Sequence, residues 1–312
     1  MTAAAAPRPN SSEVVRQTAE ERCAAELAAL QAADTGTRPP GWQLSPRAVE
    51  TFVLGSREPV RDAAGNSIQI APKFVGDRRL VQVAIATLAS DRALMLAGEP
   101  GTAKSWLSEH LAAAISGTSL LVVQGTAGTT EEQVKYSWNY ALLIAEGPSR
   151  RALVESPILR GMQHGQVVRI EELTRCAAEV QDALISVLSE KQIAVPELDE
   201  VVQARRGFAV IATANTRDRG VNDMSSALKR RFNFVTIPVI ADVDREAAIV
   251  ERRSAELLAD LGMPVQVPRA LLVDRLTARP PALTGLCAES CAVMVMVCAS
   301  QATPVVACEM LK

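Results

Sequence analysis

The stretch "ALMLAGEPGTAKSWLSEHL" (residues 93–111) runs from an apolar segment, through a loop carrying Gly98 and Gly101, into a segment with helical spacing. An apolar run closed by glycine reads as a buried strand, and the residues after Lys104 read as a helix. A loop with few side chains at a helix N-terminus can turn its backbone N–H groups toward a phosphate chain, where orphan amides and the helix dipole favour anions. Gly98, Glu99, Pro100, Gly101, Thr102, Ala103, Lys104 and Ser105 are the candidate cradle. Lys104 would reach the β and γ phosphates, and the Ser105 hydroxyl would serve a magnesium site. The pattern departs from GxxxxGK[ST] in one place, with Ala103 where the last glycine is usual. A helical Ala103 costs little, whereas one at positive φ strains the loop.

Alternating units surround this stretch. "DRRLVQVAIATLAS" reads as a helix and "SLLVVQG" as a strand without polar alternation. "GQVVRIEE" follows as a strand, "AAEVQDALISVLSEK" as a helix, "GFAVIATAN" as a strand, and "FVTIP" as a last short strand. Strands apolar on both faces alternating with helices predict an α/β fold, a parallel sheet with helices on both faces. Ligands of such sheets bind at the C-terminal edge. There the sequence places Glu171 and Glu172, the first suited to a magnesium-bound water and the second to polarising an attacking water. Thr213 and Asn215 close another strand, and the Asn215 amide can orient that water. Lys229, Arg230 and Arg231 precede the last strand. Arg169 interrupts the apolar run before the glutamates and must either reach an edge or pair with an acid.

Three segments are expected. Residues 1–72 form an N-terminal extension, 73–240 the nucleotide-binding core, and 241–312 a partial helical lid. Within the extension, "SSEVVRQTAEERCAAELAALQAAD" reads as one amphipathic helix capped by Ser11 or Ser12. "AVETFVLGSREPVRDAAGNSIQIA" reads as two short strands around a turn. Tyr136, Trp138 and Tyr140, spaced by two, share one face of an expected strand, either packed on neighbouring structure or offered to a substrate or partner.

The 312 residues carry a net charge of −2 and a hydrophobic fraction of 48%, which supports a core and provides no global basic field for nucleic acid or an anionic membrane. Cys23, Cys176, Cys287, Cys291, Cys298 and Cys308 form no CxxC pair and are expected as reduced thiols. "MTAAAAPRPNSS" lacks a secretory apolar core, and "CAVMVMVCA" falls short of the roughly 20 residues that span a bilayer. A cytoplasmic protein with neither membrane nor nucleic-acid partner is expected.

Taken in order, "GEPGTAKS", "VVRIEELTRCAAEVQDALISVLSEKQI", "FAVIATANTRDRG" and "SSALKRRF" resemble the MoxR family of AAA+ ATPases, from about Phe74 to Pro238. The resemblance implies a P-loop NTPase core binding ATP and Mg2+, with Lys104 and Ser105 as the Walker A lysine and hydroxyl. It makes Glu171 the Walker B acid and metal-side residue, Glu172 the catalytic glutamate, Asn215 sensor 1 and Arg231 the arginine finger. "QDALISVLSEKQIAVPELDEVVQARRGFAVI" looks like the helix and hairpin insertion of the helix-2-insert clade. The resemblance further implies a homo-oligomeric, hexameric ring that remodels a client protein in chaperone-like fashion, with a von Willebrand factor A domain protein as partner. Glu171 is one methylene longer than the usual aspartate. After Arg279 the texture breaks, no sensor 2 arginine follows, and a truncated or frame-altered lid is expected. A nucleotide-gated scaffold without turnover and a nucleic-acid motor are the competing readings.

Overall fold

The computed structural model describes residues 16–90, 92–216 and 223–260. The extension opens with α1 (Ala19–Arg22) and α2 (Ala24–Ala33), two helices broken at Cys23 rather than one. The operative cap is Thr18, which accepts from the Glu21 N–H while the Glu21 carboxylate accepts from the Thr18 N–H, a reciprocal capping box. Ser11 and Ser12 lie outside the described residues. The first part of the stretch read as two short strands around a turn is a helix that the reading did not name, α3 (Pro46–Leu54), capped by Ser45 and started by Pro46. The two short strands expected around that turn are present as β1 (Val60–Arg61) and β2 (Ser67–Ile68). α4 (Arg78–Leu88) follows, capped by Asp77.

The core then alternates. β3 (Ala93–Gly98) leads into α5 (Lys104–Ser116), and β4 (Val122–Gln124) is followed by α6 (Glu131–Val134), β5 (Tyr136–Trp138), α7 (Tyr140–Glu146), β6 (Leu153–Glu155) and α8 (Pro157–His164). β7 (Val167–Glu171) precedes α9 (Ala178–Ser189), the hairpin β8 (Gln192–Val195) and β9 (Glu200–Gln203), and β10 (Ala209–Asn215). α10 (Ser226–Lys229), β11 (Phe232–Ile237) and α11 (Val243–Asp260) close the described chain. The strands order as β11-β3-β10-β7-β4. β7 pairs in parallel with β10 and with β4, giving the predicted α/β parallel sheet flanked by helices. β4 was expected to be buried on both faces, but it is the edge strand and leaves Val122 exposed.

The chain divides into two compact units. One comprises the chain to Leu96, Ser105–Ala214 and on to Val235; the other comprises Ala97–Lys104, Asn215 and the stretch from Thr236. In the first, Val168, Ile170, Val210 and Ala212 of the sheet pack with Leu159, Met162, Leu184 and Val187 of the helices. The extension is anchored there as well. Arg16 and Arg22 both pair with Glu109 on α5, and Arg22 lies 4.5 Å over the Trp106 ring. The residues read as lid beyond Asp260, the segment after Arg279 included, lie outside the described residues.

The expected hairpin after α9 is present as β8–β9, with its two strands in antiparallel register. A second antiparallel pair, β5–β6, interrupts the path between α6 and α8. Of the three aromatics predicted on one strand face, Tyr136 and Trp138 are on β5, their rings edge-to-face at 6.1 Å. Tyr136 donates to Glu197 at 3.1 Å, linking the two hairpins. Tyr140 is off the strand, because the Asn139 side chain caps the Leu142 N–H and starts α7; Tyr140 stands 60% exposed. Cys23 and Cys176 are free thiols, and the other four cysteines lie outside the described residues.

Candidate functional site

Residues 97–104 form the loop expected to hold phosphates. Gly101 has φ +81, and a side chain on Gly98 would put Cβ 2.7 Å from the Ile237 carbonyl oxygen, so both glycines are required. Ala103 also lies in the left-handed region, at φ +61. Of the two readings of that departure, the strained one holds, at about 1–2 kcal/mol for an L-residue with a side chain. The Lys104 ammonium is buried in the loop and donates to the carbonyls of Glu99 (2.7 Å) and Gly98 (3.2 Å). The Thr102 hydroxyl donates to the Glu99 carbonyl. Beyond Asn215, the Thr216 N–H donates to the Gly98 carbonyl at 3.1 Å, tying the end of β10 to the start of the loop.

The acidic strand end is built around Glu171. Its side chain is buried and meets one donor for each acceptor position a carboxylate offers. Ser105 (2.6 Å) and Thr213 (2.8 Å) donate to Oε2, while Ser108 (2.7 Å) and Arg169 (2.8 Å) donate to Oε1. Arg169 therefore reaches no edge, since β7 lies inside the sheet; it pairs with the acid two residues on, which the pleat places on its own face. Its remaining donors go to Ser108 Oγ (3.0 Å) and to the carbonyls of Ser119 (3.1 Å) and Ser105 (3.3 Å). Burial pushes the Glu171 carboxyl up. The Ser105 hydrogen bond, the Arg169 charge and the bonds from Ser108 and Thr213 outweigh burial and hold it below its ordinary value of 4.5.

Glu172 leaves the strand in the left-handed conformation, φ +54, with its N–H donating to Thr213 Oγ1 at 2.9 Å. Thr213 thus connects the Glu172 backbone to the Glu171 carboxylate. The Glu172 side chain is partly exposed and pairs with Arg175 Nε at 3.1 Å. Gly125, at the end of β4, donates its N–H to the Glu171 carbonyl at 2.7 Å, and a Cβ there would lie 2.5 Å from the Glu172 carbonyl oxygen. Arg231 is partly exposed, and its guanidinium bonds Ser189 Oγ and the Ala227 carbonyl, whereas Arg230 is exposed.

The structure thus brings Ser105, Glu171 and Thr213 into direct contact, keeps Lys104 with the loop carbonyls, and ties Arg231 to Ser189 and Ala227. Ser108 was missed by sequence reasoning. Its signal was its position three residues after Ser105, on the same face of α5. Arg175 was missed as well, three residues after Glu172 in the short helical turn that follows β7.

Residues 93–232 match the AAA domain (dynein-related subfamily), so the sheet, the loop and the acidic strand end define an AAA-type P-loop protein. The chain is 51% identical over 267 residues to the uncharacterized protein YehL of Escherichia coli, covering 85% of this chain and 71% of that protein, and it belongs to the same family. An uncharacterized protein of Staphylococcus haemolyticus is 26% identical over 179 residues, covering 57% of this chain and 67% of that one. Among solved structures, NtrX from Brucella abortus in complex with ATP superposes with a TM-score of 0.53 at 14% identity, covering 75% of this chain. This chain spans 55% of NtrX, and the likeness is one of fold.

Proposed function

We propose that this protein is a MoxR-like AAA+ ATPase that binds ATP with Mg2+ on Gly98–Ser105, hydrolyses it, and remodels a partner protein as a homo-oligomeric ring. The observation that carries the reading is the 2.6 Å bond from Ser105 Oγ to Glu171 Oε2, which joins the first turn after the loop to the acidic strand end across 66 residues of sequence. Because the single hydroxyl proton of Ser105 is donated to Glu171, the lone pairs of Ser105 stay available to a cation, and the donor set fits magnesium. Glu171, with all four acceptor positions used, acts on that metal through Ser105 and not as a direct ligand. Ser105 would hold the ion, and the chemistry it would supply when bound is neutralisation of the charge that develops on the phosphoryl group.

The chain's own residues supply the rest. Lys104 exchanges the carbonyls of Gly98 and Glu99 for phosphate oxygens. Glu172 orients the attacking water and takes its proton, and Asn215 holds that water in line. Either Arg231, after release from Ser189 and Ala227, or the exposed Arg230 would reach a neighbouring subunit's nucleotide. Counted from the phosphate loop, the second core helix is the one interrupted, by β5, α7 and β6, whereas β8–β9 follows the third. That interruption supports reading β5, α7 and β6, rather than β8–β9, as a helix-2 insert. On the insert, α7 buries none of its residues and leaves Ile144 86% exposed, which supports a surface for the client or for an adaptor such as a von Willebrand factor A domain protein.

The ion pair between Glu172 and Arg175 favours a second reading, a nucleotide-binding scaffold with little turnover. Phosphate release under magnesium ATP separates the two. The enzyme reading expects Glu172→Gln to lower the rate at least about 100-fold while ATP binding persists, the size of a lost general base. Equal release by the parent and Glu172→Gln would leave only the scaffold.

A further inference from the structure

Interior positions of a parallel strand are ordinarily apolar, so a buried arginine there calls for a physical account. Arg169 is 9% exposed and places four of its five N–H groups on acceptors, one of them the carboxylate two residues on. Its Nε also donates to the Ser108 oxygen, whose single proton faces both Glu171 Oε1 at 2.7 Å and the Ser105 carbonyl at 2.9 Å, the shorter contact being the one to the carboxylate. Oε1 is therefore gripped from two sides by one connected group. With Oε1 held, the second oxygen has one orientation, toward Ser105 and Thr213.

We propose that Arg169 is a positioning residue for the nucleotide site: with Ser108 it clamps one oxygen of Glu171 so that the other is aimed at the Ser105 hydroxyl. This inference rests on the ATP and magnesium reading given above. It also accounts for glutamate at position 171. The extra methylene lets one carboxylate reach Ser105 and Ser108 on α5 while keeping its pair with Arg169, and an aspartate would release one of these contacts. Arginine and glutamate are thus a matched unit, a fixed charge-assisted pair rather than two independent substitutions.

The test is a titration of the full-length protein with mant-ATP, a fluorescent ATP analogue, in excess Mg2+ and again in excess EDTA; the ratio of the two affinities is the magnesium-dependent gain. Arg169→Met should cut that gain about tenfold while leaving the EDTA affinity within about twofold, Glu171→Asp should cut the gain by a similar factor, and the double variant should be no worse than either single. A gain kept within about twofold in Arg169→Met, or losses that multiply in the double variant, overturns the clamp while leaving the nucleotide reading intact. A parent protein that binds mant-ATP in neither condition overturns the nucleotide reading and the clamp together. If Arg169→Met does not fold, Ser108→Ala removes the other Oε1 donor. A loss of about threefold or more in its gain supports the clamp, and an unchanged gain overturns it.

Discussion

Ala103 holds φ +61 in the phosphate loop, where glycine would sit without strain, so Ala103→Gly is predicted to stabilise the protein. The left-handed conformation costs an L-residue with a Cβ about 1–2 kcal/mol, and glycine removes that cost. Glycine also gives the unfolded chain more freedom, which takes back about 0.4–1 kcal/mol. The net expectation is a gain of about 0–1.6 kcal/mol, centred near about 0.8 kcal/mol, or about 2 °C in the unfolding midpoint for a chain of this size. Gly101, at φ +81, provides the opposite perturbation, and Gly101→Ala should lose stability by a similar or larger amount. The assay is urea denaturation of the parent and the two variants, with mant-ATP affinity measured in parallel. If the loop keeps its conformation on binding, the strain is common to both states and affinity should change less than about threefold in Ala103→Gly. A loss of about 0.5 kcal/mol or more in Ala103→Gly, or a Gly101→Ala variant as stable as the parent, would refute the left-handed assignment and the account of the missing glycine.

Glu171→Gln should cost about 3 kcal/mol at neutral pH, since it leaves the buried Arg169 without its charge partner. Because the folded-state carboxyl is held below its ordinary value of 4.5, its contribution is fully present above that pH and disappears as pH falls toward the lowered value. Denaturation midpoints of parent and variant should therefore converge on acidification below pH 4.5; a constant difference would remove Glu171 as the linked group. Arg231→Ala and Arg230→Ala, assayed for ATP turnover against protein concentration, should separate the two candidate trans arginines. The acting one should lower turnover about 1,000-fold with nucleotide binding retained, and normal turnover in both variants would end the arginine-finger proposal.

The extension shows the limits of local reading. "AVETFVL" carries strand-like residues, yet Ser45 and Pro46 start a helix that buries Val49, Phe52 and Val53. There capping and tertiary burial overrode propensity. Similarly, the spacing of Tyr136, Trp138 and Tyr140 fits a strand, but Asn139 offers its side chain as a helix cap before the third aromatic.

What the sequence by itself determined was the architecture and the inventory of the site: alternating apolar strands and helices, the loop from Gly98 to Ser105, two acids at a strand end and Asn215 at another. These depend on patterns a few residues long, which the strand and helix periods impose on any chain that folds this way. Only the tertiary structure decided how that inventory is wired. Sequence left Arg169 a choice between an edge and an acid, and the interior position of β7 left it the acid. Sequence likewise left Ala103 a choice between two backbone conformations and said nothing of Ser108. The reason is that Glu171 meets Ser105, Ser108 and Thr213 across 66, 63 and 42 residues of chain. Contacts at such separations leave no periodic trace in the sequence, because they exist only once the sheet has set the strand order and α5 has packed beside it.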